Sequence, residues 1–175
     1  MIFVIVGMPA SGKNIARDYA ASRGIPYFAT GDIVRTEVKK RGLEPNPENT
    51  ASVSDELRGD DGMGVTRRAL AEALGLNAPV IFMEGMRSWP EIMLVRSETE
   101  CVVVSFLAPR WLRRQRVISR GREDDSLDAF DERDSREITY GAAVPIALAD
   151  EYILNTGTMA EATQALDEIV REYVK

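Results

Sequence analysis

Apolar residues fill positions 2–6 without a polar interruption, and the pattern then changes to one that places Ile15, Ala16, Tyr19 and Ala20 on a single helical face. An unbroken apolar run suits a strand buried on both faces of a parallel sheet. Gly24 ends the helix, residues 26–28 form a short second strand, and Thr30-Gly31-Asp32 opens a helix reaching about residue 41. Pro45 and Pro47 break the chain before two further helical patterns, about 49–58 and 64–75, separated by Gly59-Asp60-Asp61-Gly62. This stretch reads as a helical lobe inserted into an alternating chain. Residues 80–83 make the next buried strand, and Ser88 with Glu91 forms a capping box for the helix behind it. A fourth strand over 101–107 leads through Pro109 into an arginine-rich helix, followed by an acidic segment over 123–137 that reads as helical. Residues 152–154 are the fifth strand. Asn155-Thr156-Gly157 then turns the chain, and Thr158 with Glu161 caps a last helix that aligns Ala162, Leu166, Ile169 and Tyr173. Strands alternating with helices predict an α/β fold: one domain over 1–175, with a parallel, doubly wound sheet covered by helices. In such sheets ligands gather at the carboxyl ends of the strands.

The candidate chemistry sits at those ends. Between the first strand and first helix lies Gly7-Met8-Pro9-Ala10-Ser11-Gly12-Lys13-Asn14, the spacing of a phosphate-binding loop in its expected context. Glycines 7 and 12 let backbone N–H groups close around phosphate oxygens, Lys13 adds a point charge, and the helix N-terminus favours an anion. A nucleotide polyphosphate is the expected ligand, bound by Gly7, Pro9, Ala10, Ser11, Gly12, Lys13 and Asn14. Asn14 stands where the pattern has a Ser or Thr hydroxyl that ligates Mg²⁺. Glu84 ends the third strand, where a second acid would hold the metal directly or through water. The metal ligands expected are therefore Asn14 and Glu84. The arginine helix carries Arg110, Arg113, Arg114, Arg116, Arg120 and Arg122, with 113, 116 and 120 on one face. Two readings apply: phosphate contacts, chiefly by Arg116 and Arg120, or a solvated face paired with Glu123, Asp124, Asp125, Asp128 and Asp131. Arg133 and Arg136 share a spacing on the acidic segment and could close over the same phosphates.

Composition narrows the function. The chain has 175 residues and a net charge of −6, which argues against broad binding to nucleic acid or an anionic membrane. Histidine is absent, so catalysis must run on carboxylates, arginines, lysine and metal. Only four of the 22 basic residues are lysine, which leaves arginine forks as the prevailing phosphate binders. Cys101 is the single cysteine and lies in an apolar run, so a buried, reduced thiol is expected. No run approaches a membrane span and the N-terminus lacks a signal-peptide pattern, so a cytoplasmic protein is expected.

Taken together, Gly7 to Lys13, Thr30-Gly31-Asp32-Ile33-Val34-Arg35, Glu84-Gly85-Met86-Arg87, Arg116-x-x-x-Arg120, Arg122-x-Asp124-Asp125 and Arg133 occur in the order found in adenylate kinases and other nucleoside monophosphate kinases. More narrowly, the chain resembles an archaeal adenylate-kinase-related family often labelled dephospho-CoA-kinase-like, with Pro47-Glu48-Asn49, the 120–125 run and Ala149-Asp150 through Gly157 as further points of similarity. The resemblance implies a P-loop NTPase fold of three α/β/α layers with a five-stranded parallel sheet in the order 2-3-1-4-5. It also implies a helical acceptor-binding lobe at about 30–75 and a short lid at about 121–135. Thr30, Gly31, Arg35, Gly85 and Arg87 would bind the acceptor, Lys13, Arg116, Arg120, Arg122 and Arg133 would serve the transferring phosphoryl group, and Asn155 with Gly157 would lie near the donor adenine. Three departures stand out: Asn14 for the hydroxyl, Glu84 where those kinases usually have Asp, and a Glu84–Arg87 motif one residue short. The expected function is that of an ATP- and Mg²⁺-dependent phosphotransferase acting on a small-molecule nucleotide, most simply AMP, as a monomer or small homo-oligomer. The alternatives are dephospho-CoA phosphorylation and a nucleotide-binding regulator or assembly factor with little turnover.

Overall fold

A computed structural model describes residues 1–121 and 126–174. The strands are β1 (Ile2–Val6), β2 (Tyr27–Ala29), β3 (Ile81–Glu84), β4 (Cys101–Leu107) and β5 (Glu151–Leu154), and they pair in the parallel order β2-β3-β1-β4-β5. This is the expected three-layer sheet. β1 occupies its centre, which is why its five residues are all buried and none is polar. The strand period of two divides them between the faces: Phe3 and Ile5 point into one core, Ile2, Val4 and Val6 into the other.

The first core is closed by α1 (Asn14–Arg23) and α9 (Met159–Tyr173), whose Ile15, Tyr19, Leu166 and Ile169 meet Phe3, Phe82 and Phe106. Opposite lie α4 (Gly64–Gly75) and α5 (Trp89–Glu98), which bury Leu70, Ile92 and Val95 against Val4, Met83 and Val103. The capping boxes Ser88/Glu91 and Thr158/Glu161 both form. α2 (Thr30–Lys40), α3 (Pro47–Arg58) and α4 make a third, small core from Val34, Val38, Val53, Leu57 and Val65. Each of these buries one apolar stripe, and none of the three could be stable alone.

Several boundaries differ from the sequence reading. α3 begins at Pro47, because Asn46 caps it and proline is well suited to the first helical turn. β2 runs one residue later than expected. After α6 (Arg110–Arg120), the acidic helix α7 spans Leu127–Thr139 with Ser126 as its cap, two residues longer than expected at its far end. Residues 122–125 of the expected helix and lid, with candidate Arg122, lie outside the described residues. A short helix, α8 (Ala143–Ala147), was not foreseen, since Pro145 inside five residues hides the pattern. Cys101 is only half-buried, and burial pushes its thiol up to about 11. No helix among the described residues is long and apolar enough to cross a membrane.

The α3–α4 corner gives a stability test. A Cβ on Gly64 would lie 2.1 Å from Leu57 O and 3.0 Å from Arg58 O, both backbone atoms that cannot swing away, whereas at Gly75 nothing lies within 4 Å. Gly64→Ala is therefore expected to lower the free energy of unfolding by about 1–3 kcal/mol, while Gly75→Ala leaves it unchanged or raises it by about 0.5 kcal/mol. Urea titrations of the two variants against wild type check this, and equal midpoints would refute the packing argument.

Candidate active site

The loop from β1 to α1 is held from outside by three polar side chains. Arg113 Nη1 donates to Pro9 O at 3.0 Å, Arg116 Nη1 reaches Ala10 O and Ser11 O at 3.4 Å each, and Asn155 Nδ2 donates to Ser11 O at 2.8 Å. Arg116 Nη2 also donates to Asn155 O at 2.8 Å, tying the two clamps together. A planar trans peptide sets each carbonyl and the following N–H in opposite directions. The amides of Ala10 and Gly12 therefore turn inward, towards the hollow of the loop. α1 starts at Asn14 with no side-chain cap and no acid in its first turn, so although Ile15 and Ala16 N–H donate to Gly12 O and Lys13 O, the positive end of its dipole favours an incoming anion. The result is a receptor of phosphate size.

Close approach explains two of the glycines. Gly12 has φ 108°, and a Cβ there would stand 2.0 Å from Asn155 Nδ2. Gly85 has φ 100°, and its Cβ would meet Thr30 Oγ1 at 2.2 Å. Any side chain at either position would push the loop off its neighbour.

Lys13 Nζ donates to Gly7 O at 2.7 Å and Met8 O at 3.2 Å. Burial pushes its ammonium below the usual lysine range, and the carboxylates of Glu84 and Glu137 pull it back up. Lys13, Glu84 and Glu137 line one cleft of about 260 Å³ with Gly7, Pro9, Gly85 and Arg87. Glu84 is oriented by Tyr27, whose phenol donates to Oε2 at 2.6 Å; burial first and the Glu84 charge second push that phenol well above its usual range. Arg17 lies over the Tyr27 ring, 5.1 Å from its centroid. Glu137 is ion-paired with Arg87, its carboxylate 3.0 Å from Nε. One turn earlier on α7, Asp134 makes a buried bidentate pair with Arg113 at 2.7 and 2.6 Å. A single guanidinium thus joins α7 to the loop and sets where Glu137 stands.

A second cavity of about 590 Å³ runs from the cleft along α2 and α3, lined among others by Thr30, Gly31, Arg35, Ser54, Arg58, Arg136 and Tyr140. Gly85 and Arg87 line both cavities, so the two are neighbours.

The fold brings Gly7, Pro9, Lys13, Glu84, Gly85 and Arg87 to the cleft and Thr30, Gly31 and Arg35 to the groove. Ala10, Ser11, Gly12 and Asn155 are gathered at the clamped loop. Arg35 is exposed and ion-paired with Asp32. Asn14 is exposed on the first turn of α1, and Gly157 is exposed beside the Thr158/Glu161 capping box. Arg113 does not share a phosphate-facing surface with Arg116 and Arg120, because its charge is neutralised inside the protein by Asp134. Arg120 ends α6 exposed and Arg133 is half-buried on α7; neither lines the cleft or the groove. Sequence reasoning missed Asp134, Glu137 and Tyr140. The three-residue spacing that puts them on one face of α7 is the signal that could have found them.

A metal ion would find a sparse protein shell here. Among the described residues no group of three or more His, Cys, Asp or Glu could hold one. One carboxylate beside a phosphate receptor nevertheless fits Mg²⁺, a hard cation that takes most of its ligands from phosphate oxygens and water.

A family model described as "AAA domain" matches residues 6–131. The chain is 36% identical over 179 residues to a "UPF0200 protein" of Methanosarcina acetivorans, covering 99% of this chain and 96% of that one. It is 35% identical to a "UPF0200 protein" of Thermococcus gammatolerans, covering 100% and 96%. Among solved structures, TT1252 from Thermus thermophilus superposes with a TM-score of 0.71 at 18% identity, covering 100% of this chain and 98% of that one. Shikimate kinase from Acinetobacter baumannii, in complex with shikimate, gives 0.58 at 15%, covering 99% and 94%. The clamped loop, the sheet order and these likenesses define a protein of the AAA-domain class with a P-loop kinase fold. Within that class the chain belongs to the UPF0200 family.

The clamp makes a direct prediction. Because Arg116 holds three carbonyls, Arg116→Ala is expected to weaken ADP binding about tenfold, about 1.4 kcal/mol, and to speed amide exchange at Ala10–Gly12. Calorimetry and hydrogen exchange read the two effects; weakened binding with unchanged exchange would assign Arg116 to the ligand instead of the loop.

Proposed function

We propose that this chain is an ATP-dependent small-molecule phosphotransferase of the nucleoside monophosphate kinase type, with an adenine nucleotide, most simply AMP, as acceptor. The observation that carries the reading is the junction of the two cavities at Gly85 and Arg87. A molecule lying in the arginine-lined groove presents its end to a phosphate held over Lys13. The acceptor oxygen then attacks the γ-phosphorus in line, the bond to the β,γ-bridging oxygen breaks, and ADP leaves. Lys13 and the inward amides hold the donor phosphates. Thr30, Gly31 and Arg35 of the lobe spanning about 30–75, with Gly85 and Arg87, hold the acceptor, Asn155 and Gly157 flank the donor side, and Arg116 and Arg120 of α6 act around the transferring group together with Arg122 and Arg133 of a short lid at about 121–135. Mg²⁺, with Asn14 and Glu84 as its protein ligands, would offset charge on the transferring phosphoryl group. Dephospho-CoA phosphorylation is a second reading, favoured by the groove's continuation past Ser54 to Pro45, Asn46 and Pro47, which leaves room for a longer tail.

The test is a screen of AMP, CMP, UMP, GMP and dephospho-CoA with ATP and Mg²⁺, reading ADP release and product identity. Transfer to one acceptor is expected, with Lys13→Ala folded but reduced at least about a hundredfold, since its charge acts where the phosphoryl group moves. Tight ATP binding with no transfer to any of them would favour the regulator reading.

A further inference from the structure

Four arginines line the acceptor groove, and their surroundings differ. Arg35 is paired with Asp32 and Arg87 with Glu137, while Arg136 is exposed at the end of α7. Arg58, the last residue of α3, is half-buried and has no carboxylate partner among the described residues. Its contacts are the Ser54 hydroxyl, 3.4 Å from Nε, and the ring of Tyr140, whose centroid lies 5.4 Å from the guanidinium carbon. The Arg87 guanidinium lies 5.2 Å from the centroid of the same ring. Tyr140 caps the end of α7, so this stack reaches across the groove from α3 to α7.

Two guanidinium groups brought to one ring repel each other, and the ring quadrupole offsets only part of that cost. An anion between them removes it. Both guanidinium groups already rest against the ring, so less conformational entropy remains to be lost when a phosphate binds. We propose that Arg58 and Arg87, held on Tyr140, receive the anionic group of the acceptor, with Arg87 exchanging the Glu137 carboxylate for it. This rests on the phosphotransferase reading and deepens it. The acceptor must carry a phosphate, and Arg58 is the residue that enforces the requirement. Tyr140 is a positioning residue, acting through the two arginines.

The experiment fills the P-loop with a non-hydrolysable ATP analogue and Mg²⁺, then titrates AMP and adenosine by calorimetry. Wild type is expected to prefer AMP at least about tenfold, the scale of one charge-assisted bidentate contact. Arg58→Ala should lose most of that preference with adenosine binding unchanged, and Tyr140→Ala should behave likewise. Tyr140→Phe keeps the ring and should retain the preference, which a merely structural role for the hydroxyl would not allow. Equal binding of AMP and adenosine by wild type, or full preference in Arg58→Ala, overturns the inference. Failure of wild type to bind the ATP analogue would count against the phosphotransferase reading instead, while the AMP–adenosine comparison still decides the role of Arg58.

Discussion

Three carbonyls of the β1–α1 loop point outward because Arg113, Arg116 and Asn155 stand behind them. A loop with its carbonyls turned inward would repel phosphate; with its amides inward it attracts it. The same contacts extend further. Arg113 can be buried only because Asp134 neutralises it, and removing one partner of such a pair costs about 3–5 kcal/mol. That pair docks α7, and α7 carries Glu137 into the cleft and Tyr140 to the groove. Donor loop, cleft and groove are therefore positioned by one buried guanidinium.

Charge in the cleft is arranged around Lys13. Desolvation pushes the ammonium below the usual lysine range, and Glu84 and Glu137 act against that. Each carboxylate has its own keeper: the Tyr27 phenol for Glu84 and the Arg87 guanidinium for Glu137. Both keepers come from the same half of the sheet, Tyr27 from β2 and Arg87 from the loop after β3. The two sides of the cleft are thus coupled by a hydrogen bond and an ion pair.

Short-range signals carried most of the architecture into the sequence. The apolar run at 2–6, the largely apolar run at 101–107, the capping boxes at Ser88 and Thr158, and the glycine spacing at 7 and 12 each act over one strand or one helical turn, and each is found in the structure. The loop motifs appear at the carboxyl ends of the strands for the same reason, since a parallel sheet leaves nowhere else for them to meet.

Residues that act across long separations were not legible in this way. A row of five arginines on one helix offers no local sign that one of them will be buried against an aspartate 21 residues away, or that another will clamp a loop 106 residues back. Arg58 ends α3 while Glu137 and Tyr140 come from the far end of α7, and only tertiary packing brings Glu137 to the cleft and sets Tyr140 beside Arg58 at the groove. The sequence by itself determined the strands, the helices, their order and the phosphate loop, because these rest on periodicity and backbone conformation within a few residues. Tertiary structure alone decided which charges face a ligand and which face each other, because the free energy of a charge depends on what surrounds it in space.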